Sequence, residues 1–194
     1  MTRSVEIVTE YIETAWNLCK SNFYRWNEYM DNSCIRSVSR LFYQSVFDSG
    51  VIPTGYTTNP RFFKYEPNNN LTNDHFMSPQ TVCKFIMDRP DIVNDFKKFT
   101  EVFNLCRRTI VTSREENEIL KVNRPRNRNV LTKNRYKHNN IDLYFHGEII
   151  NDAFDKLIPD YFTEWEQGFV NNNYYPLVIK DERVPSKKLE LWMQ

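Results

Sequence analysis

Glycine is scarce in this chain, four in 194 residues. A phosphate-cradling loop needs several, and neither G-x-x-x-x-G-K-[ST] nor G-x-G-x-x-G occurs. G-x-S-x-G and H-E-x-x-H are missing as well. The four cysteines (Cys19, Cys34, Cys83 and Cys106) stand singly, with no C-x-x-C pair. That spacing argues against a structural zinc site or a disulfide framework and for reduced thiols. Neither sign of charge dominates, with 26 basic against 25 acidic side chains and a formal net charge of +1. No stretch approaches the roughly 20 consecutive apolar residues of a membrane-spanning helix. The opening MTRSVEIVTEYIE carries acids where a secretory peptide carries an apolar run. A cytoplasmic protein with no membrane partner is the expectation.

Aromatic residues make up 15% of the chain at near-zero net charge, which a disordered segment would not carry. The length suits one domain, or one domain with a small appendage, able to bury a sizeable core. In VEIVTEYIETAWNLCK, Val5, Val8, Tyr11, Ile12, Ala15, Trp16 and Cys19 recur at spacings of three and four, which predicts a helix. A second helix is expected from about Ser33 to Phe47, stopped by Asp48-Ser49-Gly50. Residues 51–73 are rich in proline and asparagine, with a short strand expected in RFFKYE.

Ser78-Pro79 reads as a helix entry, with Ser as the cap and Pro in the first helical position. Pro90 interrupts that helix, and DIVNDFKKFTEVFNLC resumes as a further amphipathic one. RRTIVT is β-branched and reads as a strand. Thr112-Ser113-Arg114-Glu115 has capping-box spacing, so a helix is expected from about Ser113 to Val122. IDLYFHGEII reads as short elements, and NDAFDKLIPDYFTEWEQGF as helical. The fold class expected is α+β, mostly helical with a few short strands.

The three histidines sit in different settings. His138 lies among asparagines and is expected to be solvated; His146, in LYFHGE, is expected to be a hydrogen-bonded structural residue. His75 follows Asp74 in a polar segment, which places a hard carboxylate oxygen beside a base that titrates near neutral pH. The plain reading of Asn73-Asp74-His75 is a turn. Against it stands the later strand-then-helix unit, in which Asn117 lies one turn into the helix, a position where asparagine tends to bond something specific.

Taken together, Asn73-Asp74-His75 and Val111-Thr112-Ser113-Arg114-Glu115-Glu116-Asn117 resemble the HNH, or His-Me finger, nucleases, especially the phage and intron homing type. The resemblance covers Thr72 to Leu120, with roughly 35 intervening residues that carry their own helices. It implies two strands and a helix forming a ββα-metal core interrupted by a helical insertion. Asp74 and Asn117 would bind one divalent metal, Mg²⁺ or Mn²⁺, and His75 would be the general base. Asn104 is the candidate for the family's middle residue. Arg107, Arg108 and Arg114 would add positive charge at the transition state. The implied organisation is a helical region over 1–50, the catalytic core over 51–122, and a basic segment with an α+β region over 123–194, together one compact domain. The implied partner is double-stranded DNA, in the host cytoplasm if the gene is a phage's.

From Ile119 to Ile141 there is no acid, while Lys121, Arg124, Arg126, Arg128, Lys133, Arg135 and Lys137 are all basic. Interleaved with Asn and Tyr, these are groups that contact phosphates and base edges. The expectation is DNA contact along this stretch. The rival is a non-catalytic nucleic-acid-binding or phage-host interaction protein in which Asp74-His75 is only a turn, and a structural virion component is a third alternative.

Overall fold

The computed structural model describes residues 4–29, 32–59, 70–126, 132–150 and 154–171, giving only the backbone of 28–29, 32, 121–126 and 169–171. Two long helices lead, α1 (Val5–Tyr29) and α2 (Asn32–Asp48), packed side by side. Each buries the face its periodicity announces, Ile12, Ala15, Cys19 and Trp26 from α1 and Ile35, Val38, Phe42 and Val46 from α2. Gly50 ends α2 with φ +83°, a left-handed conformation that glycine adopts without a Cβ clash.

After β1 (Ile52–Thr57) and β2 (Leu71–His75) come α3 (Pro79–Met87), α4 (Pro90–Val93) and α5 (Phe96–Arg107). These helices complete the core: Phe42 lies edge-on to Phe99 and Phe103, with ring centroids 6.3 and 5.5 Å apart. The indole of Trp16 donates to the carbonyl of Val93 at 2.8 Å, tying α1 to the end of α4. Ser78 does precede Pro79 at the start of α3, but its hydroxyl bonds Gln80 rather than the helix amides. The single helix expected after Pro90 is broken at Asn94 and Asp95. The Asp95 carboxylate accepts from the amides of Lys97 and Lys98, so it starts a new helix instead of continuing the old one.

Next come β3 (Arg108–Ser113) and α6 (Arg114–Arg126). A 3₁₀ turn (Thr132–Asn134), α7 (Arg135–His138), β4 (Tyr144–Phe145), β5 (Glu148–Ile149) and α8 (Asp160–Asn171) complete the described chain. The expected helix across 151–169 is interrupted: Phe154 and Asp155 are helical, the chain turns through 156–158, and α8 starts after Pro159, whose carbonyl accepts from Phe162 and Thr163. The strand expected in RFFKYE lies outside the described residues.

The α+β class, mostly helical, is what the structure has. Among the described residues five strands form one mixed sheet in the order β2-β3-β1-β4-β5. β1 and β3 run parallel, and every other neighbouring pair is antiparallel. Gly55 (φ +83°) sits in β1 in a conformation that strains an L side chain, and a Cβ there would press on the Phe145 ring at 3.1 Å. β4 and β5 are joined by His146 (φ +50°) and Gly147 (φ +91°), the two positive angles of a type I′ turn. His146 is therefore an exposed turn residue, its ring 4.2 Å from that of Phe145. No described helix is long and apolar enough to cross a membrane.

Candidate active site

The two halves of the sequence resemblance meet in the sheet. β2 and β3 pair antiparallel from Leu71 opposite Ser113 to His75 opposite Thr109, and β3 runs directly into α6. The amide of Arg114 donates to the carbonyl of Asn70 at 2.8 Å, so α6 starts beside the start of β2. The helix start is capped reciprocally: the Ser113 hydroxyl accepts from the Glu116 amide at 3.1 Å, and the Glu116 carboxylate accepts from the Ser113 amide at 3.0 Å. The box is thus Ser113 with Glu116, one residue later than the spacing first suggests. The same carboxylate oxygen accepts from Thr112 and, at 2.5 Å, from the hydroxyl of Thr58 after β1.

α6 packs against both β2 and β3. Leu120 is buried, while Glu115, Glu118 and Ile119 are exposed, so the side of α6 turned to the sheet carries Ser113, Glu116, Asn117 and Leu120. Asn117, half-buried, therefore lies on the covered side, one turn from the junction that also begins β2. Asp74 is three residues along β2 from that junction.

Asp74 is buried with two partners from the end of the basic stretch. The guanidinium Nη2 of Arg135 donates to Oδ2 of Asp74, and the Tyr136 hydroxyl donates to the same oxygen at 2.5 Å. All three residues are 5% exposed or less. Nη1 of Arg135 also donates to the backbone carbonyl of His75 at 3.3 Å, and Nε is buried with no hydrogen-bond partner. Adjacent residues of a strand project to opposite sides, and His75 has a different set of neighbours. Its Nδ1 lies 2.7 Å from the carbonyl of Cys106 in the last turn of α5, and its ring meets Tyr43 of α2 edge-on at 6.1 Å. A carbonyl only accepts, so Nδ1 carries the proton and Nε2 is the basic nitrogen of the neutral ring.

The basic candidates divide by what they touch. The guanidinium of Arg107 is spent inside the fold, on the carbonyls of Ser49 and Gly50 and the side chain of Asn104, and burial lowers its pKa. Half-buried Arg107 thus acts as a strut between α5 and the end of α2, and Asn104 is its partner. Arg135 is likewise internal. Lys133 lies 3.4 Å from Asp160. Arg108, Arg114 and Lys137 are exposed. Lys121, Arg124 and Arg126 lie on α6, and Arg128 lies outside the described residues. Tyr136, Tyr43 and the Cys106 carbonyl gave no signal in the sequence, since their roles follow from long-range packing. Glu116 was legible as a capping residue but not as the anchor of Thr58.

Among the described residues no three His, Cys, Asp or Glu side chains gather in one place. A divalent ion would rest on the Asp74 carboxylate and the Asn117 amide oxygen, both hard donors. Such a set fits Mg²⁺ or Mn²⁺, which keep several waters and complete their shell from substrate phosphates. No family model matches the chain, and no curated protein and no solved structure matches it either.

Proposed function

We propose that the chain is a metal-dependent DNA endonuclease of the His-Me finger type. The observation that supports it is the ββα unit itself: a strand ending in Asp74-His75, an antiparallel second strand, and a capped helix carrying Asn117 on its sheet-facing side. A helical insertion separates these pieces in sequence, and a turn reading of Asp74-His75 gives no reason for them to share one unit.

Each side chain has a task in phosphodiester hydrolysis. His75, its Nδ1 proton committed to Cys106, takes the proton of an attacking water at Nε2. Asp74, buried and multiply hydrogen-bonded, has a fixed carboxylate direction. Asp74 and Asn117 would hold the ion, which supplies positive charge at the phosphate. Asp74 and His75 project to opposite sides of β2, so the two would serve one phosphate only where that phosphate lies past the end of the strand, at which His75 is the last residue. Arg108, exposed at the start of β3 across from the end of β2, can reach a bound phosphate; Arg107 is committed elsewhere.

The test is nicking of supercoiled plasmid with Mg²⁺ or Mn²⁺ and with chelator. Metal-dependent cutting that His75→Ala abolishes supports the reading, and an inert wild-type protein ends it. A second reading, a nucleic-acid-binding protein without catalysis, is favoured by the Arg135 guanidinium already neutralising Asp74. It predicts salt-sensitive DNA binding and no cutting.

A further inference from the structure

We propose that Arg135 and Tyr136 are positioning residues for Asp74, and that Arg135 is not a DNA contact. The inference rests on the endonuclease reading. Both groups donate to one oxygen of the carboxylate, Oδ2. Two donors on a single oxygen fix rotation of the carboxylate about its own axis and so set the direction in which Oδ1 faces. Nη1 of the same guanidinium holds the His75 carbonyl, so one side chain fixes the backbone and the carboxylate of the adjacent pair together. The Arg135 side chain is 5% exposed, which keeps it from a polyanion at the surface although it stands in an acid-free basic run.

Hydrogen-bond support of a metal-ligating carboxylate is worth about 10–100-fold in metal affinity or activity. The chemistry of the two supports differs. Tyr136 contributes a single hydroxyl, so Tyr136→Phe removes the bond and keeps the ring, which packs edge-on to Phe154 at 5.3 Å. Arg135 contributes a planar fork that lysine cannot copy, so Arg135→Lys keeps the charge and loses the geometry.

The experiment compares wild type, Tyr136→Phe, Arg135→Lys and Arg135→Gln. Plasmid cleavage is measured as kcat and KM, the Mn²⁺-induced rise in Tm is measured without DNA, and DNA binding is measured in chelator over a salt series. Tyr136→Phe and Arg135→Lys are expected to lower kcat about 10-fold or more with KM unchanged. The Mn²⁺-induced rise in Tm should shrink, and Arg135→Gln should leave the salt slope of binding unaltered. If wild type cuts and Tyr136→Phe matches it in kcat and in Mn²⁺ response, the positioning role is wrong while the endonuclease reading stands. A salt slope reduced by about one in Arg135→Gln would put this guanidinium on a phosphate, and an inert wild type would remove both proposals. Tyr136→Phe keeps the test decisive should the Arg135 variants fail to fold.

Discussion

The imidazole Nδ1 of His75 and the backbone carbonyl of Cys106 lie 2.7 Å apart, joining the end of β2 to the last turn of α5. The contact fixes both the tautomer and the ring direction of the histidine proposed as the base. His75→Ala should therefore lower cleavage about 10²–10⁴-fold while DNA affinity in chelator stays within about twofold of wild type. Steady-state nicking and a filter-binding titration check the two halves separately.

Asp74→Asn should be the most destabilising of the site variants. It leaves the Arg135 guanidinium buried without its counter-charge, a loss of about 3–5 kcal/mol. Asn117→Ala, on half-buried α6 surface, should cost much less and still lose metal-dependent activity. Urea midpoints for the two variants, with far-ultraviolet dichroism to establish folding, give the comparison.

Arg124, Arg126 and Arg128 together should govern affinity for DNA. Replacing all three by Gln is expected to reduce the slope of log K against log salt by about 0.9 per lost phosphate contact. Arg107, bound to Ser49, Gly50 and Asn104, should instead lower Tm when replaced and leave that slope unchanged.

Lys84 in α3 is almost fully buried, and desolvation lowers its pKa from 10.5 to about 8. Below pH 8 the amine is protonated in both folded and unfolded chains, and the fold bears the cost of the buried charge. Between pH 8 and 10.5 the unfolded chain binds more protons, so stability rises with pH. The full shift corresponds to about 3 kcal/mol. Lys84→Met should raise the urea midpoint at pH 7 and give a smaller gain at pH 10; an equal gain at both would show that the charge is not the cause.

Glu116→Ala should destabilise by about 1–2 kcal/mol, since one carboxylate serves the helix start and the hydroxyls of Thr58 and Thr112. Thermal melts of Glu116→Ala and Thr58→Val would separate the cap from the bridge to β1.

Much of the helical framework was legible because its signals are local. The three-and-four spacing in α1 and α2, Gly50, and the β-branched run of β3 each act within a few residues. The break before α5 was missed because Asp95 can equally sit inside a helix or cap one, and only the chain path decides. The exposure of His146 was not legible, because apolar neighbours in a hairpin point to alternate sides, so Leu143 is buried while the turn stays exposed. At the site, Asp74, His75 and Asn117 could be singled out, whereas their supports could not. Arg135 stood in a basic run like its neighbours, and its pairing with Asp74 spans 61 residues. Arg107 likewise looked available until Ser49 and Gly50 folded onto it.

The pairing of β2 with β3 across three inserted helices carries a consequence for assembly. Closing so long a connection costs conformational entropy before any ladder bond repays it, so the strands cannot meet as an autonomous hairpin. Condensation of α3, α4 and α5 on α1 and α2 would bring Phe76 and Arg108 within reach, and we expect it to precede the β2–β3 ladder. The joining of Asp74 to Arg135 and of His75 to Cys106 should therefore come late in refolding, after the helical signal has recovered, and core lesions remote from Asp74 should delay it.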